Sequence, residues 1–567
     1  MSLLQRVVNV IEQFMLHRET GDLFGPKGRA ELLPRVRAFL EKNAPIEFVM
    51  PAFPFKSPSK KKVLGILPDF GEYYALFVLN ALCDTIKSVY EPGAFLTIVS
   101  DGFIYHDLVG VSLEDFRAYS KEIRSMGSEF HNLRFSCLKD LLSEAEFASW
   151  TADKQAFLDQ QNEGFDLDAE LETNDNLLQV YRGYLIFMRY DLEPQFEQSS
   201  LSNSQKKKRI RDIARQLICR GNVFSELVRR RYPDHVRLSI HCHDNRGPKY
   251  AISIAPSKFR TPWHNCTLLT KDGKLETLKV HEVKENSRVV MRNGRPWMMV
   301  EDDPDLVFKG YDLTFEPILP FGVKLQFNNN PKLENIPQQQ LRKLTLKFGL
   351  VLIRGVENIE SAEQFDKSAS AFGQVQSWFF GNVLVLKYNP AIDINNVLSK
   401  EAMPMHFDGL FKLDENGMPM APLFQYFFCK VPSGTTLFTD TRLFLDQFRP
   451  LEHRKWKCFT SKNASFGGKP LELDIFQKHP ETHWQVLRYH EPWEQEKTQF
   501  NPTHVKILAP EGESWNQRLT DCMYNRRFCL FHDWQQGDVV IADNYSLLHS
   551  RLAFNDSARE LWRIHFN

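Results

Sequence analysis

Apolar residues recur at Leu3, Leu4, Val7, Val8, Ile11 and Phe14, the spacing of a helix buried along one side. Farther on, short apolar runs alternate with longer helical ones. Residues 63–67, 95–99 and 237–241 read as buried strands, and 73–89 and 210–231 as helices. Strands separated by helices predict a parallel, helix-covered sheet, a Rossmann-like α/β arrangement. Residues 144–176 turn acidic and polar around EGFDLDAELETNDN, which predicts a solvated surface excursion or lid. The turn pairs Asp272-Gly273 and Asn293-Gly294, flanked by strand-like residues such as 289–291 and 297–300, predict a β appendage closing this first domain.

Between about residues 303 and 315 the pattern changes. Beyond it, helix is expected only at 336–348 and 361–372, while short strands at 383–388, 424–429, 505–508 and 539–542 predict a sandwich or barrel. The chain is therefore divided into 1–308 and 309–567. No internal repeat is visible.

Composition narrows the class. Of 567 residues, 43% are hydrophobic and 25% charged, the mixture of globular domains and not of disordered, collagenous or disulfide-stapled chains. Lys plus Arg number 71 against 71 Asp plus Glu, which gives no global electrostatic case for nucleic acid or an anionic membrane as main partner. No run approaches the ~18 apolar residues of a membrane span, and the opening helix lacks the unbroken apolar core of a secretory signal. Nine cysteines without a C-x-x-C read as reduced thiols. The expectation is a cytoplasmic protein; its oligomeric state is open.

The chemistry is densest in the second half. In His406-Phe407-Asp408 residues i and i+2 of an extended segment project to one side, so imidazole and carboxylate can reach one ion. Two His and one carboxylate form the facial triad of non-haem Fe(II) oxygenases. Alone, H-x-D recurs by chance. Here a distal His549 lies in Asp543-Asn-Tyr-Ser-Leu-Leu-His-Ser-Arg551, followed by a strand-like 559–566 in which Arg559, Leu561, Arg563 and His565 share one face. Two arginines turned into a barrel are costly unless they meet anions.

With these residues stand Phe321-Gly322-Val323, Gly349-Leu-Val-Leu-Ile-Arg-Gly355, Phe372-Gly373, Ser433-Gly-Thr-Thr-Leu-Phe438 and Gly537-Asp538. Together they make residues 312–567 resemble the taurine dioxygenase-like family of Fe(II)/2-oxoglutarate oxygenases. The resemblance implies a double-stranded β-helix, or jelly roll. It implies iron on His406, Asp408 and His549, the far carboxylate of 2-oxoglutarate on Thr436 and Arg559, and the organic substrate at Arg563. It further implies that O2 and 2-oxoglutarate are consumed, with succinate formed, as hydrogen is taken from the substrate.

The first half is quieter. Pro54-Phe-Lys56 precedes the expected strand ending at Pro68-Asp69-Phe-Gly-Glu72, and the next ends at Ser100-Asp-Gly102. Acidic residues at the carboxyl ends of strands lie where open α/β sheets bind ligands, so Asp69, Glu72 and Asp101 are candidates for proton handling, with helix capping and turn chemistry the alternative. No G-x-G-x-x-G follows a strand and there is no P-loop. His241, His243, Arg246 and Lys249 crowd one short segment that could bind a phosphate and shuttle protons. A second metal at H-x-H lacks a third ligand. Residues 206–209 and 229–231 read as solvated helix faces.

The ordered string P-F-K-S-P, L-P-D-F-G-E, Y-E-P-G-A, S-D-G-F-I-Y-H-D-L-V-G-V, R-G-Y, R-L-S-I-H-C-H and T-P-W-H, between Pro54 and His264, resembles the isocyanide synthases of the pyoverdine/dityrosine biosynthesis family. That resemblance implies condensation of an amino acid's amine with the ketone of ribulose 5-phosphate and its conversion to an isocyanide. Lys56, His241 and Lys249 would then serve the phosphate or protonation, and Asp101 and Glu72 would act as bases. Joined, the halves imply secondary-metabolite biosynthesis. An α-isocyano acid, held through its carboxylate at Arg563, would be desaturated and decarboxylated to a vinyl isocyanide. Two alternatives stay open: an oxygenase with a non-catalytic substrate-binding first half, and an iron or 2-oxoglutarate sensor without turnover.

Overall fold

The computed structural model describes residues 1–391, 396–447, 456–462, 470–508 and 514–567. It divides into two compact units, Ser2–Asp302 and Asp303–Asn567. In the first, strands β1 (Ile46–Pro51), β2 (Ala94–Ser100), β3 (Leu133–Cys137), β4 (Val236–Ser239) and β5 (Lys249–Ala251) form a sheet in the order β3-β2-β1-β4-β5. Every pairing in it is parallel. Its strands are apolar on both faces, with Phe48, Val49 and Met50 and then Leu96, Ile98 and Val99 all fully buried, as a sheet covered by helices requires. Helices Phe70–Val89 and Asn203–Arg231 fall on the expected spans, and Leu3–Phe14 buries Val7, Val8, Ile11 and Phe14.

Two expectations are corrected here. Residues 63–67 form no strand. Pro58 and Pro68 bracket the run, Gly65 interrupts it, and the N–H groups of Lys62 and Val63 turn back to the carbonyl of Ser59 at 2.9 and 3.3 Å. The leading central strand is β1, whose Phe48 and Val49 are in register with strands on both sides. The acidic stretch is not a solvated excursion but a series of helices, Glu144–Ala152, Lys154–Gln161 and Leu167–Thr173. Ser143, Asp153 and Asp166 accept N–H groups at their starts, and Trp150, Phe157, Leu158 and Leu167 are buried. Acidic residues gathered at helix starts complement the helix dipole, so a local charge excess concealed three short helices, each burying one or two large apolar side chains.

A second sheet of this unit holds β6 (Cys266–Leu269), β7 (Leu275–Leu278), β8 (Ser287–Arg292) and β9 (Arg295–Glu301) in the order β7-β6-β9-β8. The turn pairs 272–273 and 293–294 close its two hairpins. At the second, Asn293 and Gly294 both have positive φ, 52° and 75°, the geometry that joins right-twisted strands in two residues.

The second unit contains β10 (Leu313–Pro317), β11 (Val323–Phe327), β12 (Leu350–Arg354), β13 (Val383–Lys387), β14 (Met403–His406), β15 (Phe424–Val431), β16 (Thr435–Asp440), β17 (Lys457–Lys462), β18 (Leu471–Asp474), β19 (Phe476–Lys478), β20 (Gln485–Leu487), β21 (Thr503–Leu508), β22 (Cys529–Asp533), β23 (Val539–Asp543), β24 (Leu547–Arg551) and β25 (Glu560–Phe566). A seven-stranded sheet runs β10-β11-β12-β23-β15-β25-β13, and a four-stranded sheet runs β14-β24-β16-β22. Core residues from both, including Phe427 and Leu561 of the larger and Phe438 and Leu530 of the smaller, pack in one cluster. The other face of β25 carries Trp562 and Phe566, which meet Phe428 and Phe372 at ring distances of 5.2 and 5.1 Å.

Helices Gln338–Phe348 and Ala362–Ala369 stand where expected, but Thr441–Gln447 and Ser514–Met523 are also helical, against the expectation of two helices only. The first spans seven residues, too few to display a period. Among the described residues no helix is long and apolar enough to cross a membrane, and no disulfide joins the nine cysteines.

Candidate active sites

β14 and β24 pair antiparallel with His406 directly opposite His549, so backbone register alone sets the two imidazoles side by side, 4.3 Å between ring centroids. Asp408 follows two residues on. Its Oδ1 lies 3.7 Å from His406 Nε2 and 3.7 Å from His549 Nε2, and all three ligand atoms fall within 4.8 Å of one another. Phe407 points into the core, with the buried Arg488 guanidinium 3.6 Å from its ring.

The hydrogen bonds leave lone pairs where a cation needs them. His406 Nδ1 donates to the carbonyl of Pro404 at 2.7 Å, which in the neutral ring puts the lone pair on Nε2. Gln425 Nε2 lies 3.2 Å from His549 Nε2, so this nitrogen carries a lone pair, which a metal would take in place of the amide. Burial, reinforced by His406, holds the pKa of His549 well below its ordinary value and keeps it neutral. Asp408 divides its oxygens: Oδ2 accepts from Arg563 Nη1 at 2.7 Å, His565 Nε2 at 2.9 Å and Gln425 Nε2 at 2.5 Å, while Oδ1 faces the histidines. Burial alone would raise this carboxyl, but the Arg563 guanidinium outweighs it and holds Asp408 well below the carboxylate range. The Asp408 N–H donates to Asn544 Oδ1 at 2.9 Å, fixing the segment to the turn before β24. Two neutral nitrogens and one free carboxylate oxygen are the donor set of a ferrous site, so the residues present fit that metal.

Beside this centre lies a cationic recess. Thr436 of β16 is in register with Arg551 of β24 and its Oγ1 accepts from Trp534 Nε1 at 2.9 Å. Arg559 Nε donates to the Ser433 carbonyl at 2.8 Å. Burial pushes the pKa of Arg559 down to about 10, and burial with the neighbouring Arg559 pushes Arg551 down to about 9. Among the described residues no carboxylate forms an ion pair with either, and like charges left together in a dry site favour an incoming anion. Arg563 spends one nitrogen on Asp408, and its buried Nε has no partner.

In the first unit, Lys56 Nζ is fully buried and bonded to Asp69 Oδ2, Glu72 Oε2 and the Pro262 carbonyl at 2.8, 2.8 and 2.9 Å. Asp69 and Glu72 also form the capping box of helix Phe70–Val89. Burial pushes Glu72 up to about 7 despite Lys56, and Tyr119 donates to it at 3.3 Å. Asp101 follows β2. Its Oδ1 is buried without a partner and burial raises its pKa to about 7. His241 follows β4 and is solvent-exposed, yet desolvation, helped by Lys249, lowers its pKa to about 4. Asp101 and His241 thus lie beyond the carboxyl ends of neighbouring parts of one sheet, and Lys56 and Glu72 touch. Lys249 is placed differently: its backbone opens β5 in register with Arg237, nearer the other end of the strands. Its Nζ donates to Ser225 Oγ at 2.8 Å, and burial and Arg237 lower it to about 8. His243 joins no group of three metal-competent side chains among the described residues.

Sequence reasoning did not assign Gln425, His565, Trp378, Asn544 or Arg551. Arg551, Asn544 and His565 carried a signal, since they lie in the same short stretches as His549 and Arg563; Gln425 reaches Asp408, and Trp378 reaches His565, only through the fold.

A family model described as pyoverdine/dityrosine biosynthesis protein matches residues 36–291, and one described as taurine catabolism dioxygenase TauD, TfdA family, matches residues 314–565. The isocyanide synthase xanB of Aspergillus fumigatus is 34% identical over 612 aligned residues, spanning 99% of this chain and 80% of that protein. Isocyanide synthase A of the same organism is 30% identical, spanning 93% of this chain and 92% of its own. The crystal structure of the PvcA protein from Pseudomonas aeruginosa superposes with a TM-score of 0.47 at 28% identity, covering 52% of this chain and all of that one.

Proposed function

The chain belongs to the family of isocyanide synthases fused to an Fe(II)/2-oxoglutarate dioxygenase, and from that premise we propose how its residues divide the work. The first unit condenses the amine of an amino acid with the ketone of ribulose 5-phosphate and releases an α-isocyano acid. Its sheet is read as Rossmann-like, with the ligand crevice at the switch between β1 and β4, where strand order reverses. Asp101 and Glu72, both raised to about 7, suit proton transfer near neutrality, and His241 and Lys249 suit the phosphate.

The second unit takes the isocyano acid to a vinyl isocyanide. His406 and His549 through Nε2 and Asp408 through Oδ1 would hold iron. When bound, that iron with 2-oxoglutarate and O2 supplies the oxidising power that removes hydrogen and drives loss of CO2. The protein's part is placement. Arg559 and Thr436, with Arg551 alongside, bind the far carboxylate of 2-oxoglutarate. Arg563 stands between the metal carboxylate and the organic substrate, with its unpartnered Nε available to the substrate carboxylate.

The observation that carries this reading is the division of Asp408, one oxygen turned to the two imidazoles and the other saturated by three donors. His406→Ala is expected to let isocyano acid accumulate from an amino acid and ribulose 5-phosphate while vinyl isocyanide disappears, as followed by mass spectrometry. Undiminished vinyl product from this variant overturns the iron assignment, and no isocyano acid from the wild type overturns the condensation.

A further inference from the structure

A second polar array lies in the first unit, with one partly exposed member, His264. Lys62, on the segment after β1, bonds Asp191 Oδ1 at 2.6 Å. Asp191 ends helix Asp175–Asp191 and also accepts from Ser57 Oγ. The Lys62 and Asp191 side chains are 1% and 2% exposed. Lys62 Nζ lies 3.2 Å from His264 Nδ1, whose turn is tied to Lys56 through the Pro262 carbonyl. Unlike the ion pair behind it, the His264 side chain is 26% exposed. Phe187, from the same helix as Asp191, packs 5.1 Å from the imidazole and 5.3 Å from Lys62 Nζ.

This arrangement fixes the tautomer. An ammonium held by Asp191 can only donate, so Nδ1 of His264 accepts and its proton sits on Nε2. Burial, then Lys62, His241 and Lys56, keeps His264 well below its ordinary pKa, so the ring stays neutral. The accessible end of the array is therefore an N–H donor, backed by a buried cation whose own pKa burial lowers.

We propose that His264 donates through Nε2 to the carbonyl oxygen of a phosphorylated ketose and relays a proton to it from Lys62. The proposal rests on the condensation read above for this unit. As the amine nitrogen forms its bond to the carbonyl carbon, the π pair of C=O moves to oxygen. That oxygen takes the hydrogen of Nε2, while Nδ1 takes one from Lys62, leaving a neutral amine beside Asp191. The adduct nitrogen carries one proton too many; Nε2 takes that proton as Nδ1 gives its own back to Lys62, which restores the tautomer and the ammonium and closes the cycle without net charge. Asp191 and Ser57 are positioning residues, which hold Lys62 against the ring. No phosphate contact is needed from the array, so it is separate in role from His241 and Lys249.

His264→Gln tests this, because an amide keeps an N–H donor but cannot pass a proton through the ring. With an amino acid and ribulose 5-phosphate under anaerobic conditions, the variant is expected to show a KM for the ketose phosphate within about tenfold of wild type and a kcat lower by about a hundredfold or more. Its near-ultraviolet circular dichroism and the thermal transition of the first unit should match wild type, which controls for folding of that unit. An active wild type with an equally active His264→Gln overturns the relay alone, as does a variant that loses only KM. A wild type that makes no isocyano acid overturns the condensation and the relay with it.

Discussion

Asp408 Oδ2 is occupied by Arg563, His565 and Gln425, so a cation entering the site meets only Oδ1. The weakest of these arrangements to perturb from outside is His565. Its Nδ1 accepts from Trp378 Nε1 at 2.8 Å, which forces the proton onto Nε2 and toward the carboxylate, while burial and Arg563 lower its pKa to about 4 and keep the ring neutral. Without that indole N–H the ring can take its other tautomer and turn a lone pair against Oδ2. Trp378→Phe retains the aromatic surface beneath Lys412 but removes the donor. Partners that orient a metal ligand contribute roughly 10–100-fold to affinity, so the variant should bind Mn(II), a spectroscopic stand-in for iron, about tenfold more weakly in an electron paramagnetic resonance titration. Wild-type affinity in that titration would show that the tautomer is set elsewhere.

Among elements, the junctions that follow β1, β2 and β4 carry the chemistry of the first unit, and Asp101 after β2 shows what such a position costs. Unfolded, its carboxyl ionises near the ordinary 3.8; folded, burial delays this to about 7. The folded state therefore holds the extra proton between those values, and stability falls as pH rises through that window and levels off above it. Glu72, raised to about 7 by burial, acts with the same sign. Asp101→Asn should flatten part of the decline in urea-denaturation midpoint between pH 5 and 8, and an unaltered slope would contradict the desolvated carboxyl. The same junctions mark how far the sequence could be read. Helix Phe70–Val89 was visible in its apolar period, but β1 was not, because an apolar run at 63–67 better resembled a strand than the mixed residues of 46–51. Only pairing on both sides distinguishes them. The iron ligands were legible because H-x-D and a distal His are chemically rare together. Gln425 and Trp378 were not, since they lie on other elements, 17 residues from Asp408 and 187 from His565, and reach their partners through sheet order. His264 closes a three-residue turn too short to show any period.

At the scale of the whole chain, every sheet draws its strands from one side of the boundary after Asp302, and each unit buries a core of its own. Ladders and cores are the cooperative part of a fold, so the two units have the means to unfold separately. A ligand stabilises only the unit whose folded state binds it, by about 2.7 kcal/mol when present at 100 times its Kd. The three ligand atoms for iron belong to the second unit, whereas the condensation proposed for the first runs on proton transfers among its own side chains. Stripping metal with a ferrous chelator is therefore expected to lower one calorimetric transition by roughly 5–10 °C for a unit of this size and to leave the other in place. In the same preparation isocyano acid should continue to form from an amino acid and ribulose 5-phosphate while vinyl isocyanide ceases. Two transitions moving together would mean that the units are energetically one, and a loss of isocyano acid on chelation would mean that the first unit's chemistry draws on the metal as well.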